Sequence, residues 1–313
     1  MHVLVTGGAG YIGSHVVRAL LQSKHTVAIL DDLSTGHEAF VDKLCVPFYR
    51  GDVGDYATLQ AAFGQQPVDA VIHVAGKALA GESVKDPGPY FRTNVHGPLT
   101  LLEAMRHYRV HRIVFSSTCA TYGAPERLPM PETTPQRPIS PYGSSKLAFE
   151  FALEAYRAYG FRTLALRYFN VAGASSDGEF GEAHDPESHL IPNLLKAAQH
   201  GTPFGLFGTD YPTRDGTCER DYIHVEDLAR AHVRAVEQLD ELPGDCLALN
   251  LGTGRGYTVR EVLHEVEAVV GRKVLVQEQP RRPGDPPALV NDPTRARDLL
   301  FCNAGWDQIS DRS

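Results

Sequence analysis

No apolar stretch in this chain approaches the roughly 20 residues that a membrane-crossing helix needs, which argues against a helical span. There is no basic run, and the net charge is −8. A chain of that balance is a poor partner for nucleic acid. Cysteine is sparse: Cys45, Cys119, Cys218, Cys246 and Cys302 are odd in number, widely scattered and form no Cys-x-x-Cys. That pattern reads as reduced thiols in a cytoplasmic protein. The sequence enters a strand-like segment at once, so no secretory leader is expected, and no internal repeat or low-complexity tract stands out. What remains is a globular composition, 42% hydrophobic and 22% charged over 313 residues. Such a chain buries a large core and suits one large or two modest domains.

The first residues carry a signal of their own. His2-Val-Leu-Val-Thr6 reads as a short buried strand, and Ser14-His-Val-Val-Arg-Ala-Leu-Leu21 has helical periodicity. Between them, Gly8, Gly10 and Gly13 fit G-x-G-x-x-G, while Gly7, Gly10 and Gly13 fit G-x-x-G-x-x-G. Such glycines make the strand-to-helix turn, let a pyrophosphate approach the backbone, and let the helix pack closely on the strand. The helix start, with Tyr11 and Ile12, then offers free N–H groups to phosphate. A second strand, Thr26-Val-Ala-Ile-Leu30, runs into Asp31-Asp32. Asp31 lies about 18 positions beyond Gly13, near the spacing of a ribose-binding acid. A carboxylate there accepts from a 2′-hydroxyl and repels a 2′-phosphate, so NAD is favoured over NADP. Turn aspartates at strand ends are common as well, and the role fits Asp31 better than Asp32. Gly51-Asp52-Val53 is expected to end a third strand and to lay Asp52 beside the adenine.

Strand and helix alternate up to about residue 170. Val68–His73 and Arg112–Phe115 read as apolar strands, Pro87–His107 as one long helix between them, and Thr163–Leu166 as another strand. This implies a doubly wound parallel sheet with helices on both faces. Residues 173–189 read as a long loop, Leu190–His200 as a helix, and 201–222 as loop. Val225–Leu239 is amphipathic and Leu247–Leu251 is an apolar strand. The expected division is a dinucleotide-binding domain of residues 1–172 plus 224–252, and a smaller α/β substrate-binding lobe of residues 173–223 plus 253–313.

Tyr142 and Lys146 stand four apart in Ser140-Pro-Tyr-Gly-Ser-Ser-Lys146. Ser140 suits a helix N-cap and Pro141 the first helical position, so the pair lies on one helix face. A fixed ammonium beside a phenol is expected to lower its pKa from about 10. The phenol then serves as base for an alcohol that loses hydride. On its own, Tyr-x-x-x-Lys matches ordinary helix surfaces. Ser116-Ser-Thr118 follows a strand end, where ligands of open α/β sheets bind. Thr118 there is placed to hydrogen-bond the same hydroxyl. His107-x-x-x-His111 has metal-like spacing but no carboxylate string beside it, and no metal is expected.

These elements resemble the extended short-chain dehydrogenase/reductase family over about residues 1–300, and within it the members that invert C4 of UDP-hexoses. The resemblance rests on Thr6-Gly-Gly-Ala-Gly-Tyr-Ile-Gly-Ser-His15, Ala75-Gly76, Gly81-Glu-Ser-Val84 and Asn94-Val95. It continues through Arg167-Tyr-Phe-Asn170, Asp210-Tyr-Pro-Thr213, Asp215-Gly-Thr217, Arg220-Asp-Tyr-Ile-His-Val225, Asn250-Leu-Gly252 and Arg281-Arg-Pro-Gly-Asp285. It implies an NAD-dependent epimerase acting through a transient 4-keto sugar, on UDP-glucose and UDP-galactose. By this resemblance Tyr142 is the base, Thr118 bridges the sugar O4 and the phenol, and Lys146 holds the nicotinamide ribose. The cofactor site takes in Gly7, Gly10, Tyr11, Ile12, Gly13, Asp31, Asp32, Asp52, Val53, Val74, Ala75, Gly76, Asn94, Ser116 and Tyr168. Asn170, His189, Leu190, Arg220, Arg282 and Asp285 fall to the nucleotide-sugar, the arginines gripping its diphosphate. A homodimer through the Pro87–His107 and Tyr142 helices is implied too.

The chain departs from that pattern in four places. Lys77 directly follows Gly76, one position early for a cofactor lysine. His189 stands where asparagine is common. Leu289, intermediate in size, holds the place that controls room for an N-acetyl group, and only seven residues follow Trp306. Related reactions remain as alternatives. A dehydratase needs an acid after the Thr118 string, where Cys119 and Ala120 stand. A plain dehydrogenase has no need of the uridine-diphosphate strings, and a dinucleotide sensor has none of Tyr142, Lys146 and Thr118 together.

Overall fold

A computed structural model describes residues 1–282 and 285–301. Seven strands form its main sheet: β1 His2–Thr6, β2 Thr26–Asp31, β3 Phe48–Arg50, β4 Ala70–His73, β5 Arg112–Ser116, β6 Arg162–Tyr168 and β7 Cys246–Leu251. All neighbours pair in parallel, in the order β3-β2-β1-β4-β5-β6-β7. This is the doubly wound sheet the alternation implied. Side chains alternate along each strand, so one strand feeds two cores. Val3, Val5, Val27, Ile29, Ala70 and Ile72 join one apolar cluster, with Val16, Val17 and Leu20 of the helix Tyr11–Gln22 and Leu228, Ala231 and Ala235 of Val225–Gln238. Leu4, Ala28, Leu30 and Val71 face the opposite way, onto Leu59, Leu101, Met105, Phe149 and Leu153 of the helices Tyr56–Gly64, Gly97–His107 and Pro141–Tyr156. Burial on both faces is why these strands read as near-continuous apolar runs.

Strand order reverses between β1 and β4, which places a crevice at the carboxyl ends of those strands. The smaller region is built on Glu219–His224. That strand pairs antiparallel with Gly256–Thr258, and in parallel with Ala288–Leu289 and Asn170–Ala172. The helices Leu190–His200 and Val259–Val270 pack together through Leu194, Ala197, Leu263 and Val266. Thr258 and Glu261 form a reciprocal capping box at the start of the latter helix. The helix Thr294–Leu300, assigned to the lobe by sequence position, buries Ala296 and Leu300 in the cluster of the main sheet.

Three expected segments differ. Residues 201–222 are not all loop: they include the strand Phe204–Phe207, paired with Val276–Gln279, and most of Glu219–His224. Those pairings join distant parts of the chain, which local periodicity does not register. The third strand ends at Arg50, so Asp52 lies in the turn beyond it. Pro87–His107 is helical almost throughout, but a π-turn at Arg92–His96 separates Gly88–Phe91 from Gly97–His107. The residues after Phe301, with the short tail and Cys302, lie outside the described residues. No described helix is long and apolar enough to cross a membrane.

Candidate active site

The glycine loop is shaped by what its Cβ positions would strike. A Cβ on Gly13 would lie 1.9 Å from the Gly7 carbonyl oxygen, so helix and loop touch there. Gly7 has φ +74°, and its Cβ would come within 2.5 Å of the Ala75 nitrogen. The loops after β1 and β4 therefore meet across the crevice, where Val74 and Ala75 both donate N–H to the Thr6 carbonyl at 3.0 Å. Gly10 is different. The nearest atom to its Cβ position is the Gly7 carbonyl oxygen at 3.4 Å, an ordinary contact, so the N-cap of the helix Tyr11–Gln22 is not crowded by backbone. The first bond of that helix runs from Ser14 N–H to Gly10 C=O, so the N–H groups of Tyr11, Ile12 and Gly13 precede it. An uncrowded helix N-terminus suits a pyrophosphate.

Asp31 ends β2 with its carboxylate buried, accepting from Ala9 N–H at 2.9 Å and Leu33 N–H at 2.8 Å. Burial raises its pKa and those two bonds pull it back. Each oxygen keeps a lone pair for a ribose hydroxyl. Asp32 instead accepts from Ser34 N–H, and exposed Asp52 from Gly54 N–H, while Val53 is buried beneath. Asn94 lies inside the π-turn, 2% exposed. Its amide reads the Lys77 backbone in both directions, accepting from N–H at 2.8 Å and donating to C=O at 3.0 Å, and donates again to Ser145 Oγ. Asn94 thereby fixes the loop at Gly76. The Lys77 ammonium turns to Glu82 at 3.5 Å. The glycine loop, the helix N-terminus, Asp31 and the Asn94-pinned loop form a cradle that fits a dinucleotide.

The helix Pro141–Tyr156 starts as its sequence requires, with Ser140 Oγ accepting from Gly143 N–H at 3.2 Å and Pro141 in its first turn. Tyr142 N–H donates to Ser83 Oγ, and Ser145 Oγ donates to Tyr142 C=O. The electrostatics differ from expectation. Burial raises the Tyr142 pKa, and the hydrogen bond from Thr118 offsets this in part. The net shift of the phenol is upward, against the lowering expected from Lys146. Its ammonium, 5% exposed, donates to the Ser116 carbonyl at 3.0 Å and lies 4.9 Å from the Phe115 ring centre. Burial lowers its own pKa to about 8. The helix spacing put both groups on one face correctly, but it took no account of what desolvation does to each.

Ser116 Oγ lies 2.7 Å from His232 Nε2, and His232 Nδ1 lies 2.9 Å from the Leu228 carbonyl. The carbonyl can only accept, so Nδ1 carries the proton and Ser116 donates to Nε2. Burial lowers the His232 pKa to about 4 and keeps the ring neutral. Tyr168, at the end of β6, packs edge-on to that imidazole, and burial raises its phenol pKa. Thr118 caps the short turn Cys119–Thr121 through Ala120 N–H.

On the lobe side, Arg220 and Asp285 form an ion pair with each other. Arg282 lies over the Phe207 ring at 4.1 Å. Asn170 opens its short strand beside Tyr222. Leu289 sits opposite Arg220 in register and packs against the cluster of Cys119, Tyr122 and Met130. His189 caps the helix that Leu190 begins, and its ring pairs with Glu182 and Glu187. Pairing with Glu182 raises the His189 pKa.

Sequence reading missed Ser83, Ser145 and His232. Ser83 lay within a quoted string and Ser145 within the Tyr-x-x-x-Lys heptad. His232 sits on an amphipathic helix remote in sequence, with no local signal. Glu150 and Arg167 were missed as a unit as well. They form a buried bidentate pair that also takes in Ser117 and Tyr122 and braces the floor behind the site.

Geometry of this kind belongs to dinucleotide-dependent enzymes that act on an alcohol. The chain belongs to the NAD dependent epimerase/dehydratase family, which matches residues 3–252. Among curated relatives, UDP-glucose 4-epimerase of Lacticaseibacillus casei is 47% identical over 99% of this chain and 93% of its own length. The Rhizobium meliloti UDP-glucose 4-epimerase is 47% identical over 98% and 92%. The structure is similar to that of UDP-glucose 4-epimerase from Brucella ovis in complex with NAD, at 50% identity and TM-score 0.91, covering 96% of this chain and 92% of that one. It is also similar to the Bifidobacterium longum enzyme in complex with NAD+ and UDP, at 36% identity and TM-score 0.90 with the same coverage.

Proposed function

We propose that this chain interconverts UDP-glucose and UDP-galactose by NAD-dependent epimerisation at C4, through a transient 4-keto sugar, with Tyr142 as the base. The observation that carries the reading is the Thr118 hydroxyl set to act on the Tyr142 phenol, with Lys146 Nζ against Gly76 of the dinucleotide cradle. The full-length similarity to UDP-glucose 4-epimerases supports it. NAD is the cofactor, and when bound it supplies a reversible hydride acceptor and a positive charge. Gly7, Gly10, Gly13 and the N–H groups of Tyr11 and Ile12 face its pyrophosphate, Asp31 its ribose, and Asn94, Ser116, Lys146 and Tyr168 its nicotinamide end.

Tyr142 takes the O4 proton, Thr118 orients that hydroxyl, and Tyr142 returns the proton after the ring turns over. Burial holds the phenol above its ordinary pKa in the free protein. It becomes an effective base only beside a cation, so deprotonation is tied to the loaded site. Arg220, Arg282 and Asp285 hold the UDP. The Arg220–Asp285 pair keeps both side chains ready and opens when diphosphate and ribose hydroxyl replace it. Asn170, His189 and Leu190 line the sugar side, and Leu289 sets the room for a C2 substituent. Residues 1–172 with 224–252 form the NAD domain, to which the helix Thr294–Leu300 adds, and residues 173–223 with 253–282 and 285–293 the nucleotide-sugar lobe. The protein is a cytoplasmic homodimer, in keeping with its unpaired described cysteines and with exposed Phe91 and Phe151 on the two helices concerned.

Tyr142→Phe tests the assignment. It should keep bound NAD while kcat falls by about 10²–10⁴-fold. Near wild-type turnover would remove Tyr142 from the mechanism.

A further inference from the structure

The loop leading into the smaller lobe holds a cluster of which the proposed reaction uses only His189. Glu182, His184, Glu187 and His189 offer one ligand atom each, all within 4.8 Å of one another. Glu182 Oε1 lies 3.0 Å from His184 Nδ1 and 2.5 Å from His189 Nδ1, and Glu187 Oε1 lies 3.4 Å from His189 Nδ1. The two carboxylates are 7% and 4% exposed. Such burial is costly for acids unless a cation or hydrogen bonds meet them, and Glu187 Oε1 also accepts from Ser188 N–H at 2.8 Å and His189 N–H at 2.9 Å. Among the described residues, the ion pairs they make are with these two imidazoles. His189 Nδ1 is shut from solvent, and despite its closeness to Glu182 it has no hydrogen bond of acceptable geometry.

We propose that Glu182, His184, Glu187 and His189 bind one divalent transition-metal ion of the zinc class. Two imidazoles with two carboxylates are a borderline donor set, suited to Zn²⁺ or Co²⁺, whereas Mg²⁺ and Ca²⁺ take oxygen ligands. Tetrahedral bonds of about 2.0–2.2 Å put ligand atoms roughly 3.3–3.5 Å apart. Three of the donor pairs already stand at or inside that spacing, and all the donor atoms lie within 4.8 Å of one another.

Four protein ligands make a closed, structural site. Its place in the chain gives it a task. Before it, the loop is strapped to the sheet side: Tyr11 OH donates to Gly173 C=O at 2.6 Å, Lys43 Nζ to Glu179 C=O at 3.1 Å, and His37 Nε2 lies 2.7 Å from Ala183 O. After it, His189 caps the helix Leu190–His200, whose apolar face belongs to the smaller core. An ion here clamps that helix to the strap. The inference shares His189 with the epimerase reading, while Glu182, His184 and Glu187 lie outside it.

The test uses chelator-treated, NAD-loaded protein titrated with Co²⁺ and then Zn²⁺. One equivalent of Co²⁺ should give tetrahedral visible absorption that Zn²⁺ bleaches. Zn²⁺ should also slow cleavage of the 179–187 segment by a glutamate-specific protease about tenfold or more. His184→Ala and Glu182→Gln should each lose the Co²⁺ band, with NAD content and circular dichroism confirming that they fold. Absence of the band in the parent protein would overturn the site. So would a band that persists in both variants, or one with thiolate charge transfer, because the ion would then lie elsewhere.

Discussion

Lys146 carries a cost that its chemistry imposes. A lysine whose folded pKa is lowered to about 8 binds its proton less readily than the unfolded chain does. Above the unfolded value both states are neutral and nothing is lost. As pH falls from about 10.5 to 8 the unfolded chain gains a proton that the fold resists, so stability drops. Below about pH 8 the penalty is constant at roughly 3 kcal/mol. Lys146→Met removes this titration. Compared in urea unfolding at matched cofactor content, Lys146→Met should gain on the parent by a few kcal/mol more at pH 7 than at pH 11. A pH-independent difference would show that the ammonium is not desolvated. Losing the bond to the Ser116 carbonyl weakens the variant equally at both pH values, so it drops out of the comparison. Tyr142 and Lys146 were legible as a pair because i and i+4 spacing fixes a shared face. Their charge states were not, because those depend on Phe115, Ser116 and Thr118, which arrive from another strand.

At the scale of elements, the glycine loop separates fold from binding. Gly13→Ala drives a methyl into the Gly7 carbonyl at 1.9 Å, backbone against backbone. It should lower stability by at least about 2 kcal/mol. Gly10→Ala meets only an ordinary contact with the Gly7 carbonyl at 3.4 Å and ordinary φ, so it should cost only about 1 kcal/mol at the N-cap. That methyl occupies the room left for the pyrophosphate, so NAD content should fall sharply while the chain stays folded. Thermal melts and bound-nucleotide assays on both variants distinguish the two roles, and equal effects on stability would refute the distinction. The strand–loop–helix unit was readable because all its determinants are local. The π-turn at Arg92–His96 was not. Asn94 earns its place by binding the Lys77 backbone and Ser145, contacts that no heptad pattern encodes. The strand Phe204–Phe207 escaped for a similar reason, since its partner Val276–Gln279 lies far along the chain.

Across the whole molecule, the reversal of strand order between β1 and β4 decides where cofactor chemistry happens, and Glu219–His224 links that crevice to the smaller lobe through Asn170–Ala172 and Ala288–Leu289. The helix Pro141–Tyr156 turns Tyr142 and Lys146 inward and leaves Phe151 64% exposed. An exposed aromatic on such a helix fits burial against a second copy. Phe151→Glu should shift sedimentation toward the monomer, whereas an unchanged sedimentation coefficient would move the interface to another surface. The measurement that bears most directly on the account is NMR of UDP-galactose incubated with purified protein and no added NAD. The account predicts that UDP-glucose accumulates to equilibrium with no net reduced nicotinamide, and that Tyr142→Phe forms almost none. Unchanged UDP-galactose with the parent protein, in the presence or absence of NAD, would contradict it.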